Sequence, residues 1–243
     1  MGYNIVFGHD YKLNKPEHLK QPDRIREFIS YFEMGRGQGE AQFGSILYKN
    51  GDDGGWAVSI IPFDYSGNSQ TKFYKKLDQQ WKDSTAFHEI GYYYTRYTSG
   101  DILDQIANKN WFTPDKRDGV KTVQNVVIQF MIGYRPLFKG ESWYKASYIK
   151  AGKDAKKKGF RTYVLMELDK DEYEKNGHFD WMEYGVYLAG GDDEDRQRVR
   201  YVKDSEAENM KPAFREIYND LTCLDPCNFE WPVCVKRRAE NKG

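Results

Sequence analysis

The most apolar part of this sequence lies between Val120 and Leu168, where two apolar runs flank a turn and a lysine-rich segment. The first run, 123–132, is rich in β-branched and aromatic residues and is bounded by glycines, which is typical of a buried strand. The second run, 160–168, has the same character. A strand, helix and strand in this order usually cross over right-handed and pair in parallel. The stretch therefore predicts the core of a sheet.

The segment between the two runs predicts a helix over 143–158. Its aromatic and small residues recur at helical spacing on one face, namely Tyr144, Tyr148, Ala151 and Ala155. Six lysines lie mostly off that face: Lys145, Lys150, Lys153, Lys156, Lys157 and Lys158. Ser142 is a plausible N-cap, and Gly159 fits the left-handed position after the helix.

The rest of the chain predicts an α/β (α+β) fold. Two strands around the turn NGDDGG indicate an N-terminal hairpin over 41–63. The other predicted strands are 3–7, 182–188 and 198–202. The other predicted helices are 23–32, 73–83, a short one over 169–177, and 204–220. Residues 1–243 are expected to form a single domain, a mixed central sheet with a βαβ core. In it, 65–119 would be a helical insert and 204–243 a C-terminal helix and tail.

Composition limits the class of protein. The chain has 243 residues and a formal net charge of zero, so its overall field does not favour nucleic acid as a partner. No apolar run approaches the roughly 20 residues that span a bilayer. The N-terminus lacks the basic region and apolar core of a signal peptide. A cytoplasmic protein with no membrane partner is the expectation.

The sequence does not predict a metal site. Its three cysteines, Cys223, Cys227 and Cys234, have a spacing that matches no common zinc template, so we expect reduced thiols. The glycine-rich run GRGQGE at 35–40 could cradle a phosphate. It lacks a preceding strand and a following helix, so a connector is the better interpretation.

The order of elements resembles the GCN5-related N-acetyltransferase (GNAT) family. In that family a strand leads into R/Q-x-x-G-x-G/A, and the sequence LFKGES at 137–142 falls at the matching place, with Leu137 where the family has Arg or Gln. The run AKKKGFRTYVLMEL looks like the family's helix end and next strand. Residues 173–179, YEKNGHF, look like its Y-E-K-x-G-F element with one residue inserted.

The resemblance implies an acyl-CoA-dependent N-acyltransferase. Such an enzyme would move an acetyl group from acetyl-CoA to an amine of a small molecule or protein. Helix-start amides would bind the pyrophosphate, and the matching positions are Phe138, Lys139, Gly140, Glu141, Ser142 and Trp143. Tyr173 would protonate the departing thiolate, and Glu167 or Glu183 would deprotonate the amine through water.

A second interpretation is a non-enzymatic nucleic-acid- or protein-binding module that uses the basic, aromatic helix 143–158. Its lysines could track a phosphate backbone while Trp143, Tyr144 and Tyr148 stack on bases. Binding through six lysines would weaken steeply with salt, whereas acetyl-CoA binding would depend on salt less.

Overall fold

The structure, a computed structural model, describes residues 1–10, 21–50, 56–63, 69–85, 99–109, 112, 120, 122–132, 141–167, 181–202 and 207–223. The strands are β1 (Gly2–Asp10), β2 (Ala41–Asn50), β3 (Trp56–Ile61), β4 (Val123–Ile132), β5 (Phe160–Glu167) and β6 (Val199–Val202). The α-helices are α1 (Gln21–Ile29), α2 (Gln70–Thr85), α3 (Ser99–Asn108), α4 (Glu141–Lys157), α5 (Trp181–Ala189) and α6 (Ala207–Cys223). A 3₁₀ helix spans Asp193–Arg198.

All six strands belong to one sheet in the order β3-β2-β1-β4-β5-β6. Strands β2, β1, β4, β5 and β6 are parallel, and only β3 at the edge is antiparallel. The chain thus builds one half of the sheet outward from β1 and returns to β1 to build the other half from β4. This order is that of a doubly wound α/β sheet.

Helices cover both faces of the sheet, and each face has its own apolar core. On one face α1, α2 and α6 pack on inward side chains such as Phe7, Phe43 and Ile128. On the other face α3, α4 and α5 pack on side chains such as Val6 and Val127. Successive residues of a strand point to opposite faces, which explains why neighbouring residues of one strand enter different cores.

The predicted central unit is confirmed. Strands β4 and β5 pair in parallel, from Asn125 opposite Phe160 to Ile132 opposite Glu167. The predicted inner face of α4 is buried at Tyr148, Ala151 and Ala155, while most of its lysines are exposed. Gly159 follows the helix with a φ of 80°, the left-handed conformation that the sequence predicts. The hairpin of β2 and β3 is also confirmed.

Three local predictions are wrong. Residues 182–188 belong to helix α5 and do not form a strand, because a short apolar run does not distinguish a buried helix from a buried strand. Helix α1 spans Gln21–Ile29, so it begins and ends earlier than the predicted 23–32. Helix α4 begins at Glu141, which places Ser142 inside the helix.

Within the part of the chain that the structure describes, no helix is both long enough and apolar enough to cross a membrane.

An ionic cluster fixes α6 to strand β5. The buried Tyr163 hydroxyl donates to Asp220 Oδ2 at 2.5 Å, and Arg161 Nη2 donates to the same oxygen at 2.7 Å. Burial, and next the Asp220 carboxylate, raise the pKa of Tyr163 well above its ordinary value. The neutral phenol is therefore part of the folded state.

This cluster predicts a loss of stability in alkali. Because the pKa of Tyr163 is higher in the folded than in the unfolded chain, its contribution is complete below about pH 10 and is lost as the pH rises further. Urea unfolding measured from pH 8 to 11.5 should show stability falling above pH 10. In Tyr163→Phe this fall should be shallower by up to about 1.4 kcal/mol per pH unit. Tyr31→Phe, which alters a partly exposed tyrosine, should keep the wild-type slope; equal slopes in both variants would contradict the assignment.

Candidate functional site

The parallel strands end together at one edge of the sheet, which we call the carboxyl edge. Strands β1 and β4 lie side by side there, and the chain leaves them toward opposite halves of the sheet. In open α/β sheets, ligands bind outside the carboxyl ends of the strands, where the direction of winding reverses. The crevice between the ends of β1 and β4 is therefore the candidate site.

Helices α3 and α4 both begin at the carboxyl edge. Lys150 of α4 contacts Asp104 of α3. Lys158, directly after the end of α4, contacts Asn108 about one turn further along α3, so the two helices run in the same direction. A Cβ on Gly8, near the end of β1, would lie 3.1 Å from Ile102 in the first turns of α3. Helix starts carry unpaired N–H groups and a partial positive charge that attract anions. Asp101 lies in the first turn of α3 and Glu141 begins α4, so these starts also carry carboxylates.

The floor of the crevice contains a buried amide that sequence reasoning missed. Gln129 of β4 lies opposite Gly8 of β1, and a Cβ on Gly8 would be 2.3 Å from Gln129 Oε1. Gln129 is fully buried, and its Oε1 has no hydrogen-bond partner among the described residues. A side chain at position 8 would therefore force the Gln129 amide to move. The only sequence signal is a glycine and a glutamine inside two apolar strands.

Aromatic rings close the opposite face of the sheet at the same edge. The His9 ring stacks on Phe130 at a centroid distance of 4.9 Å, and it meets the edge of Trp81 at 5.5 Å. His9 is only 1% exposed. On the same face of the sheet, Ser45 Oγ donates to Gln80 Oε1 at 2.8 Å. Gln80 Nε2 in turn donates to the Ser59 carbonyl at 2.7 Å. Helix α2 is thereby fixed over β2 and β3.

Three of the six residues predicted to bind the cofactor, 141–143, lie within the described part of the chain. Glu141, Ser142 and Trp143 form the first turn of α4 at the carboxyl edge, while their side chains lie outside the description. Phe138, Lys139 and Gly140 fall outside the described residues, as does Tyr173. Glu167 is the last residue of β5, so its backbone lies at the same edge.

Glu183 lies in the first turn of α5, in place of the predicted strand. Its Oε1 accepts a hydrogen bond from Lys145 Nζ at 3.2 Å and another from the Tyr187 hydroxyl. Helix α5 also begins at the carboxyl edge, because it connects the parallel strands β5 and β6. The structure thus brings Glu183 close to the start of α4, with its carboxylate already paired.

Most lysines of α4 are paired within the protein. Lys150 contacts Asp104 at 3.1 Å and Asp154 at 2.8 Å. Lys156 contacts Asp192 at 2.6 Å and the buried Asp195 at 3.1 Å. These contacts, and next the positive charge of their lysines, lower the pKa values of Asp154 and Asp192. This basic surface is largely a junction with α3 and the 3₁₀ helix.

Two more contacts bear on the nucleic-acid interpretation. Lys158 Nζ donates to the Ala107 carbonyl at 2.8 Å and so caps the end of α3. Tyr148 is buried and meets the edge of Tyr184 at 5.2 Å, so its ring faces protein. Of the residues expected to stack on bases, Tyr148 is therefore enclosed, and the side chains of Trp143 and Tyr144 lie outside the description.

No three His, Cys, Asp or Glu residues of the described part of the chain lie close enough together to hold a metal ion. Cys227 and Cys234 fall outside the described residues, and Cys223 ends α6. The glycine-rich loop 35–40 holds a carboxylate of its own chain, since the Gly37 N–H donates to Glu40 Oε2 at 2.6 Å.

No protein-family model matches the chain, and no curated protein matches it. Solved structures show a similar fold. Proximal thread matrix protein 1 from the mussel byssus is 11% identical with a TM-score of 0.55, covering 90% of this chain. The pilus adhesin SpaC from Lactobacillus rhamnosus GG is 12% identical with a TM-score of 0.52, covering 91%.

The matched regions are 45% of the mussel chain and 30% of the adhesin chain, so this chain spans less than half of either protein. Neither of these structural neighbours is named as an acetyltransferase. At this identity the likeness shows the fold alone.

Proposed function

We propose that this chain is a ligand-binding module that takes an anionic group of its ligand at the carboxyl edge, in the crevice between β1 and β4. The observation that carries the proposal is the strand order, which puts the reversal of winding between these two strands. Helix α4 is the next helix after β4, so its first-turn amides face the same edge. That is where doubly wound folds hold anions.

The sign of the ligand's charge follows from the helices. The positive ends of α3 and α4 are each worth about 0.3–1 kcal/mol to a nearby anion, and hydrogen bonds from free N–H groups add to this. The formal net charge of the whole chain is zero, so attraction comes from these local ends. Specificity would then depend on polar groups in the crevice, of which Gln129 is one.

The structural neighbours support binding as the role of the module. One is described as a matrix protein and the other as a pilus adhesin. These proteins are similar to this chain in fold alone. We infer from them only that this fold serves binding in other proteins.

Acyl transfer from acetyl-CoA is a second candidate, supported by one observation. The turn that the GNAT resemblance assigns to the pyrophosphate leads into the first turn of α4 at the carboxyl edge. Glu183 and the backbone of Glu167 lie at the same edge. Glu183 would have to leave Lys145 and Tyr187 before it could accept a proton. The donor role of Tyr173 remains a prediction.

Thermal unfolding with acetyl-CoA, CoA and inorganic pyrophosphate tests both candidates. A ligand present at 100 times its dissociation constant adds about 2.7 kcal/mol of stability. Ala146, exposed on α4 about 7.5 Å beyond the start of the helix, offers a matched pair of variants. Ala146→Glu should weaken anion binding roughly twofold to fourfold through its charge, and Ala146→Gln should not.

The outcomes separate the candidates. Stabilisation by all three compounds, reduced only in Ala146→Glu, supports an anion site at α4. Stabilisation by acetyl-CoA together with acetyl transfer to an amine, lost in Tyr173→Phe while binding persists, supports the enzyme. No stabilisation by any of the three at millimolar concentration would contradict the anion site, and the acyltransferase with it.

A further inference from the structure

A row of amide side chains crosses the sheet at the edge opposite the candidate site. Asn4 of β1 lies between Gln42 of β2 and Asn125 of β4 in the strand register. All three alternate with apolar residues of one core, so they point to the face covered by α3, α4 and α5. Asn4 Nδ2 donates to Asn125 Oδ1 at 3.0 Å.

Gln42 is the unusual member of this row. It is 0% exposed, and neither its Oε1 nor its Nε2 has a hydrogen-bond partner in the described part of the chain. An amide buried without partners costs about 1–3 kcal/mol for each group left unpaired. The large majority of buried side-chain polar atoms in native proteins have a partner, either protein or ordered water.

The neighbours of Gln42 on this face of the sheet are a tightly packed glycine and a second amide. Gly44, two residues along the same face, leaves room that the Phe112 ring fills, because a Cβ on Gly44 would be 2.7 Å from the ring. Asn4 lies directly opposite Gln42, and paired Cβ atoms lie about 4.5–5.5 Å apart, so its amide is within reach of a molecule that bridges the two. Asn125 lies one strand further on and is joined to Asn4 by their hydrogen bond.

We propose that Gln42 anchors an internal hydration site, in which an ordered water joins its amide to the Asn4–Asn125 pair. A water of this kind makes about three hydrogen bonds to buried polar groups that otherwise lack partners. A donor and an acceptor on Gln42 together with the neighbouring amides supply that number. The site lies at the amino edge of the strands and is independent of the ligand crevice.

Water-selective NMR on the intact protein tests the proposal. The side-chain NH₂ protons of Gln42 should show a cross-peak to a long-lived water. Absence of that peak, together with a direct hydrogen-bond coupling between Gln42 and Asn4, would overturn the proposal without any variant.

Replacing the amide gives a second readout with opposite expected signs. If a water satisfies the amide, Gln42→Met removes its hydrogen bonds and should lower the melting temperature by about 2–4 °C. If the amide is truly unsatisfied, the same change should raise the melting temperature. Gln197→Met, the same substitution at an exposed residue of the 3₁₀ helix, controls for the methionine itself. A rise in Gln42→Met over this control would overturn the proposal.

Discussion

Asp195→Asn is expected to lower the free energy of unfolding by about 3–5 kcal/mol, because it removes one partner of a buried ion pair. The Asp195 side chain is fully buried and contacts Arg198, whose side chain is only 11% exposed. Asp195 Oδ2 also accepts a hydrogen bond from Lys156 Nζ at 3.1 Å and another from the Asp192 backbone N–H at 3.1 Å. Asparagine keeps the volume but leaves Arg198 without this counter-charge. Urea unfolding at pH 7 measures the difference.

The matched control is Glu194→Gln, one residue earlier. Glu194 is 73% exposed, and within the described part of the chain its ion pair is with Lys156, at 3.4 Å. An exposed pair of this kind is worth about 0–1 kcal/mol, so the control should change stability little. A loss in Asp195→Asn no larger than in Glu194→Gln would show that the carboxylate does not hold the 3₁₀ helix in place.

Gly152→Ala is expected to destabilise the protein by about 2–3 kcal/mol through overpacking. Glycine inside a helix normally costs about 1 kcal/mol relative to alanine, so the same change at an open position would stabilise. Here a Cβ would lie 1.8 Å from the Tyr187 carbonyl oxygen and 3.0 Å from that of Leu188. The backbones of α4 and α5 therefore approach closely only because residue 152 has no side chain.

The test is the sign of the stability change in Gly152→Ala. The melting temperature should fall by about 5–10 °C. Lys157→Ala, at an exposed position of the same helix, should stay within about 0.5 kcal/mol of the wild type. A Gly152→Ala variant more stable than the wild type would show that α4 and α5 are further apart than described.

The sequence predicts the centre of the sheet well because local signals agree there. The run 123–132 has β-branched residues between glycines, and α4 has a regular apolar face and a C-terminal glycine. The run 182–188 lacks such agreement, since its length and composition suit a strand as well as a buried helix. The strand order is not local information, so the doubly wound sheet could not be predicted from the pattern.

The candidate site was largely beyond sequence reasoning for the same reason. Gly8 and Gln129 are far apart in the chain and meet only through the pairing of β1 with β4. The lysines of α4 predict a basic surface, yet their partners Asp104 and Asp192 come from other elements. The sequence shows that Gly152 is an unfavourable residue inside a helix. It does not show the contact that requires glycine there, which is with Tyr187, 35 residues later in α5. Only the start of α4 could be predicted from a local pattern, because helix starts have a local signature. Anion binding there remains a prediction.

The proposal that the carboxyl edge binds an anion is tested most directly by mapping inorganic pyrophosphate onto the protein by amide NMR. The account predicts saturable shifts at the first turn of α4, from Glu141 to Tyr144, and at the ends of β1 and β4, including Gly8 and Gln129. Amides at the opposite edge, such as Gly159, should not move. Shifts confined to the exposed lysines of α4, or no saturable shift at any residue, would contradict the proposed site.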